Sequence, residues 1–230
     1  MSAAPRYRPA IRRRLYPLLE RTLLGLGAFR SAAGDRKSAP QRVIFVCSGN
    51  ICRSPYAEAL ARARGLPAVS CGTHARSGSP ADPSAIAEAA SRGIALDDHR
   101  AARWQDMELR RGDLIVAMTL RHILFVLPRV LRSGSDLALF SALLPRFAPI
   151  WDPYGRPREF YGQIFDLIDI GISRLAECRG ILPGPKPAPL TEAEQTPGLD
   201  IWPSGQESAP PADSKAEAAS PDGTASHNAS

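Results

Sequence analysis

The sequence predicts an α/β fold: a small, doubly wound, four-stranded parallel sheet with helices on both faces. Three observations point there. Val43–Val46 is wholly apolar and largely β-branched, as a strand buried on both faces of a parallel sheet reads. Asp113–Met118 (DLIVAM) repeats the pattern. Helical stretches alternate with these and other short strands, the order that right-handed crossovers in a parallel sheet require. Ligands of such sheets bind beyond the carboxyl ends of the strands.

The elements follow in order. Val43–Val46 runs into Cys47, and Ser54–Arg64 reads as a helix with Pro55 in its first turn and Gly65 as its stop. Pro67–Cys71 is a second strand, followed by loop chemistry from Gly72 to Pro80. Asp82 is placed to cap a helix reaching Arg92, with Pro83 at its first position and Gly93 ending it. After DLIVAM, Leu120–Leu131 reads as a helix despite Pro128, and Leu137–Phe140 as a weaker fourth strand. Arg158–Cys178 is a long amphipathic helix with Ile164, Leu167, Ile168 and Leu175 on its apolar side.

Composition divides the 230 residues into three parts: a basic extension and linker at 1–40, a globular body at 41–180, and a tail at 181–230. Residues 1–37 hold nine Lys or Arg against Glu20 and Asp35, a net +7 in a chain of +6, so the remainder sits near −1. On charge grounds the body is not a nucleic-acid binder. The arm places Ile11, Leu15, Leu18, Leu19, Leu26 and Phe29 on one helical face, with Arg12, Arg13, Arg14, Glu20 and Arg21 off its centre or opposite. Such a segment is fit to lie on an anionic membrane surface or dock on a partner; the plainer readings are a disordered extension or a helix packed on the body. Glu20 and Arg21 interrupt the apolar core a secretory signal would need. Four cysteines without zinc-site spacing point to a reducing compartment, and no run approaches the ~18 apolar residues of a spanning helix. The expected location is cytoplasmic, with peripheral contact at the inner membrane surface through the arm. The tail, opened by Pro183, Pro185, Pro187 and Pro189, lacks the apolar content to repay ordering.

Chemistry concentrates in Cys47–Ser54. A thiol at the end of a buried strand, then a tight loop, then a helix start, aims backbone N–H groups and a positive helix end at one point. That field stabilises a thiolate, so a depressed pKa is expected for Cys47. Arg53 has the planar fork to grip two oxygens of an oxyanion, and Ser54 can donate to the sulfur. Gly49 and Asn50 best tolerate the positive φ that a loop wrapped round an anion needs. A lone cysteine at a strand end is most often a small buried hydrophobe; the combined context favours a nucleophile. The second signal is Asp152-Pro153-Tyr154, in a loop that can return to the same sheet edge. A carboxylate there can protonate a leaving oxygen and then activate water, although Asp-Pro alone is an ordinary turn.

Val43–Pro55 (VIFVCSGNICRSP), Asp113–Met118 and Asp152–Tyr154, in this order and spacing, resemble the low-molecular-weight protein tyrosine phosphatases over about residues 41–178. The resemblance implies Cys47 as nucleophile, Arg53 as phosphate and transition-state ligand, and Asp152 as general acid then base. It implies Ser48, Gly49, Asn50, Ile51, Cys52 and Ser54 as the phosphate loop, with Asn50 and Ser54 supporting the thiolate and Cys52 matching a loop cysteine that can trap the nucleophile as a disulfide. Tyr154 matches an aromatic at the pocket mouth. No cofactor and no metal are implied. The implied partner is a phosphotyrosine protein, with bacterial tyrosine kinases of exopolysaccharide export among the candidates.

Three departures stand out. The loop Gly72–Gly78 holds no aromatic, where family members commonly have a large apolar residue; His74 and Arg76 stand there instead. Thr119 replaces an Asp after the third strand, and Ala102 an Arg after the His99 pattern. The loop also resembles arsenate reductases, which need two further cysteines on a mobile segment, whereas Cys71 and Cys178 are not close in sequence. It resembles phosphoarginine phosphatases, which typically carry Thr where Ile51 stands. A non-catalytic phospho-binding protein is the remaining reading, disfavoured by intact Cys47, Arg53 and Asp152. Vesicle binding by a peptide of residues 1–37 tests the arm: retention on anionic but not neutral lipid is expected, and indifference to lipid charge would remove the membrane reading.

Overall fold

The structure is a computed structural model that describes residues 17–23 and 40–178. All fall within the compact unit Met1–Thr196; a second unit, Pro197–Ser230, contains none of them. Expectations for the rest of the arm and for the tail lie outside the described residues.

The elements run β1 (Arg42–Cys47), α1 (Arg53–Ala63), β2 (Ala68–Gly72), α2 (Pro83–Ser91), β3 (Asp113–Ala117), α3 (Leu120–Ser133), β4 (Asp136–Leu139) and α4 (Arg158–Glu177). The four strands are parallel in the order β2-β1-β3-β4. Each lies within a residue or two of its expected position. β4 starts and ends one residue before the predicted Leu137–Phe140, because Phe140 opens a 3-10 turn to Leu143. α3 carries Pro128 and runs two residues past Leu131; Gly134 at φ 67° ends it, a left-handed stop that Leu131 had obscured. A 3-10 turn at Trp104–Asp106 was not predicted.

Strand alternation sorts the core. Val43, Phe45, Leu114 and Val116 face a large cluster built with α1, α2 and α4, in which Tyr56 stacks on Phe165 at 3.8 Å between ring centroids. Ile44, Val46 and Ile115 face the other side, where Val126 and Val130 of α3 and Trp104 cover them. Helices on both faces bury the sheet, so β1, flanked by strands on both edges, delivers Cys47 to its carboxyl end at the point where strand order reverses.

β2 ends at Gly72, directly beneath the loop that follows β1. A Cβ on Gly72 would lie 2.5 Å from the Ser48 carbonyl oxygen and 2.9 Å from the Asn50 nitrogen, so only a residue without a side chain lets that backbone pass. Gly72→Ala is expected to push the loop off its position and, for the activity that the phosphatase resemblance implies, to lower kcat/KM by about 100-fold, the scale of a 1 Å misplacement, with phosphate affinity falling in parallel. Steady-state kinetics together with phosphate titration check this.

Residues 17–23 are helical, and the face they bury is not the expected one. Leu18 and Leu19, assigned to the apolar face, are exposed, while Glu20 is buried with 3 % of its surface accessible. The cause is a hydrogen bond: the Leu120 N–H donates to Glu20 Oε1 at 2.6 Å. This supplies the first turn of α3 with the acceptor that its N-cap, Thr119, does not give from its own side chain. Burial pushes the Glu20 carboxyl up to about 7, against the lowering effect of that hydrogen bond. A carboxyl raised in the folded state binds its proton more tightly there than in the unfolded chain. Its stabilising contribution is therefore full below pH about 4.5 and is lost as pH rises to about 7. Relative to Glu20→Gln, the wild-type protein is expected to lose stability across that window, by about 3 kcal/mol at most, and to track the variant above it. Paired thermal melts at stepped pH measure the difference.

Candidate active site

The loop between β1 and α1 is held from outside through its carbonyl groups. Cys47 O accepts from Thr73 N at 2.9 Å and Ser48 O from His74 N at 2.9 Å. Ile51 O accepts from Asp82 N at 2.8 Å. Asn50 O accepts from His99 Nε2 at 2.8 Å. Carbonyls turned outward place the N–H side of the same peptide units toward the loop centre, which is the geometry of an anion-binding nest. The reversal occurs at Asn50, at φ 56° the one non-glycine residue with positive φ among the described residues. Gly49 was expected to share this role and does not; its value is space, since a Cβ there would crowd Ile51 Cγ1 at 3.3 Å.

Asn50 is fully buried, and its side chain is used at both ends. Its Nδ2 donates to Ser54 Oγ at 2.9 Å and to Ser70 Oγ at 2.7 Å, and its Oδ1 accepts from Ala102 N at 2.8 Å. Ser70 in turn donates to Glu58 at 2.6 Å. Ala102, where a larger residue was anticipated, thus acts through its backbone. The chain of contacts ends on sulfur: Ser54 Oγ donates to Cys47 Sγ at 3.0 Å, and the Asn50 N–H approaches it at 3.2 Å. Burial pushes the thiols of Cys52 and Cys71 well above the usual range, so both stay protonated at neutral pH. Cys52 Sγ lies 4.0 Å from the Tyr161 hydroxyl. Cys71 is fully buried in β2, and Cys178 is exposed at the end of α4. Of the loop's two cysteines, Cys47 is the one with donors aimed at it.

Arg53 opens α1 and is 3 % exposed. Its Nη2 pairs with Asp152 Oδ2 at 2.8 Å, and its Nη1 donates to Ile150 O at 3.1 Å. Its Nε–H is buried with no acceptor among the described residues. An unsatisfied buried donor costs about 1–3 kcal/mol, so its retention at the end of the loop that carries Cys47 suits an oxyanion ligand. Asp152 is 51 % exposed on the loop before α4, with buried Pro153 behind it and Tyr154 exposed next to it. The structure thus brings Cys47, Arg53 and Asp152 to one edge.

The loop after β2 lacks an aromatic of its own and receives one from α3. The Phe125 ring tilts on His74 at 5.4 Å between centroids, and Phe125 is exposed; Arg76 is exposed nearby in sequence. Sequence reasoning missed Phe125 because its partner lies 51 positions earlier on another element. It also missed His122, whose Nε2 lies 3.0 Å from Ser48 Oγ. No cluster of three metal-ligating side chains occurs among the described residues, and no helix there is long and apolar enough to cross a membrane.

Known proteins resemble this chain in sequence and fold. A probable low molecular weight protein-tyrosine-phosphatase EpsP of Ralstonia solanacearum is 46 % identical over 78 residues, 33 % of this chain; the match spans 54 %, about half, of that relative's length. A protein-arginine-phosphatase of Geobacillus stearothermophilus is 33 % identical over 142 residues, covering 60 % of this chain and 95 % of the relative. The crystal structure of the Erwinia amylovora tyrosine phosphatase amsI superposes with a TM-score of 0.55 at 27 % identity, over 62 % of this chain and 95 % of that one. The family model for low molecular weight phosphotyrosine protein phosphatases matches residues 42–180, well over half of the sequence. The chain belongs to the low molecular weight phosphotyrosine protein phosphatase family.

Proposed function

We propose that the protein hydrolyses phosphotyrosine in protein substrates through a phosphocysteine intermediate. The observation that carries this reading is the Cys47 sulfur, which receives Ser54 O–H and Asn50 N–H in a loop whose carbonyls turn away from it. Phosphate oxygens take the inward N–H groups and the Arg53 fork, including the Nε–H that has no protein acceptor. The Cys47 thiolate attacks phosphorus, the bond from phosphorus to the tyrosyl oxygen breaks, and Asp152 gives that oxygen its proton. Asp152, now a carboxylate, takes a proton from water as the water attacks phosphorus. The S–P bond breaks, Ser54 receives the returning thiolate with its hydroxyl, and inorganic phosphate leaves. Arg53 must exchange its contact with Asp152 for phosphate, which frees the acid for the leaving oxygen.

Ile51 and the exposed rings of Phe125 and Tyr154 favour an aromatic phosphoester over phosphoarginine, the substrate class in the name of one relative. Cys71, fixed in a strand, and Cys178, on a helix end, do not form the mobile cysteine pair of an arsenate reductase. A bacterial tyrosine kinase is the class of partner proposed, and residues 1–37 are the proposed membrane or partner contact, with Leu18, Leu19 and Arg21 exposed. Cys47→Ser is expected to abolish turnover, and Asp152→Asn to lower kcat by about 10²–10⁴-fold while leaving phosphate binding intact. The kcat/KM values for phosphotyrosine, phosphoarginine and phosphoserine peptides, with arsenate plus thioredoxin in parallel, should favour phosphotyrosine. Arsenate turnover without phosphatase activity would overturn the reading.

A further inference from the structure

We propose that His122 is a positioning residue of the phosphate loop, acting through the hydroxyl of Ser48. This rests on the phosphatase reading and adds an element to it, α3, that carries none of the three residues assigned to the chemistry. His122 is 3 % exposed in the first turn of α3, on the sheet face opposite α1 and α4. Its ring is gripped at both nitrogens: Nδ1 lies 2.9 Å from Thr119 Oγ1, and Nε2 lies 3.0 Å from Ser48 Oγ. Burial, reinforced by the charge of Arg53, pushes His122 well below the usual imidazole range, so the ring is neutral. A neutral imidazole has one donor and one acceptor, so the two hydroxyls it joins have opposite roles and the three groups form one polarised chain.

Ser48 is the first residue after the nucleophile. Its carbonyl is fixed by the His74 N–H and its side chain by His122, from two different elements. Together they set the plane of the peptide unit between Ser48 and Gly49, hence where its N–H points. Thr119 can serve His122 because its hydroxyl is not spent on capping α3; Glu20 accepts from the Leu120 N–H instead. Any buried ring nitrogen needs a hydrogen-bond partner; what ties His122 to the phosphate loop is that one of its two partners is the Ser48 hydroxyl.

The experiment compares the full-length protein with His122→Ala, His122→Gln, Ser48→Ala and the double variant His122→Ala/Ser48→Ala. The readouts are calorimetric binding of inorganic phosphate, kcat and KM for an aryl phosphate, and melting temperature. Expected are ~10- to 100-fold losses in kcat/KM and a weaker phosphate Kd for His122→Ala and Ser48→Ala. The double variant should be no worse than the poorer single variant, since both break one contact. His122→Gln, with one donor and one acceptor, should recover part of the loss. Wild-type kinetics and phosphate affinity in Ser48→Ala would overturn the proposal even if His122→Ala fails to fold. So would additive losses in the double variant. Wild-type protein that neither binds phosphate nor turns over substrate would overturn the phosphatase reading itself, and this inference with it.

Discussion

The site depends on one backbone reversal, at Asn50. A loop that closes round an anion must turn its peptide units so that N–H groups converge, and a residue in the left-handed region makes that turn in the least chain length. Glycine would supply the conformation without the anchor. Asparagine tolerates it and uses its amide to tie the loop to β2 through Ser70, to α1 through Ser54 and to the segment before β3 through Ala102. Every carbonyl that the reversal turns outward needs a donor, and Thr73 and His74 just after β2, Asp82 at the N-cap of α2, and His99 provide them. The surrounding fold can thus be read as a set of donors placed to keep one short loop inverted.

That dependence explains which parts were legible in the sequence. The four strands, the four helices and Cys47, Arg53, Ser54 and Asp152 were readable because each announces itself locally: β-branched runs, a capped helix start, a carboxylate beside proline. The contributions of α3 were not. Hydrophobic periodicity says that His122 occupies a buried helical position; it does not say that the loop before α1 lies against it, 74 residues away. Phe125 looks like one more apolar residue in an amphipathic helix until its ring meets His74. Gly72 read as loop chemistry, although its reason is the backbone passing 2.5 Å from where a Cβ would sit. A helical wheel puts Glu20 off the buried side because it ranks residues by apolarity, and a carboxyl group accepting a helix N–H is buried for another reason.

The Arg53–Asp152 pair shows which part of the site must move. Arg53 is nine-tenths buried or more, so removing its counter-charge without replacement would strand a desolvated guanidinium. In the proposed mechanism a phosphate dianion is that replacement, and it offers more acceptors than one carboxylate oxygen. Asp152, half exposed, gives up little on leaving, because water can solvate it at once. The asymmetry in burial therefore assigns the movement to the Asp152 loop and leaves the phosphate loop rigid, as its many carbonyl anchors also require.

Rigidity on one side and freedom on the other fit the two demands of the proposed chemistry. The phosphoryl group must be held in one orientation through two displacements, which favours a loop fixed at Ser48 by His122, at Asn50 by His99 and at Ile51 by Asp82, the N-cap of α2. The acid must approach the leaving oxygen first and a water next, which favours a carboxylate on an exposed loop stiffened by Pro153 and not buried in the core. The protonated thiols of Cys52 and Cys71 complete the division: burial keeps them out of the reaction, while two aimed donors single out Cys47. In the proposed reading, selectivity for the rest of the substrate then falls to surfaces outside the loop, where Phe125, His74 and Tyr154 are exposed. Those can vary without disturbing the inversion at Asn50.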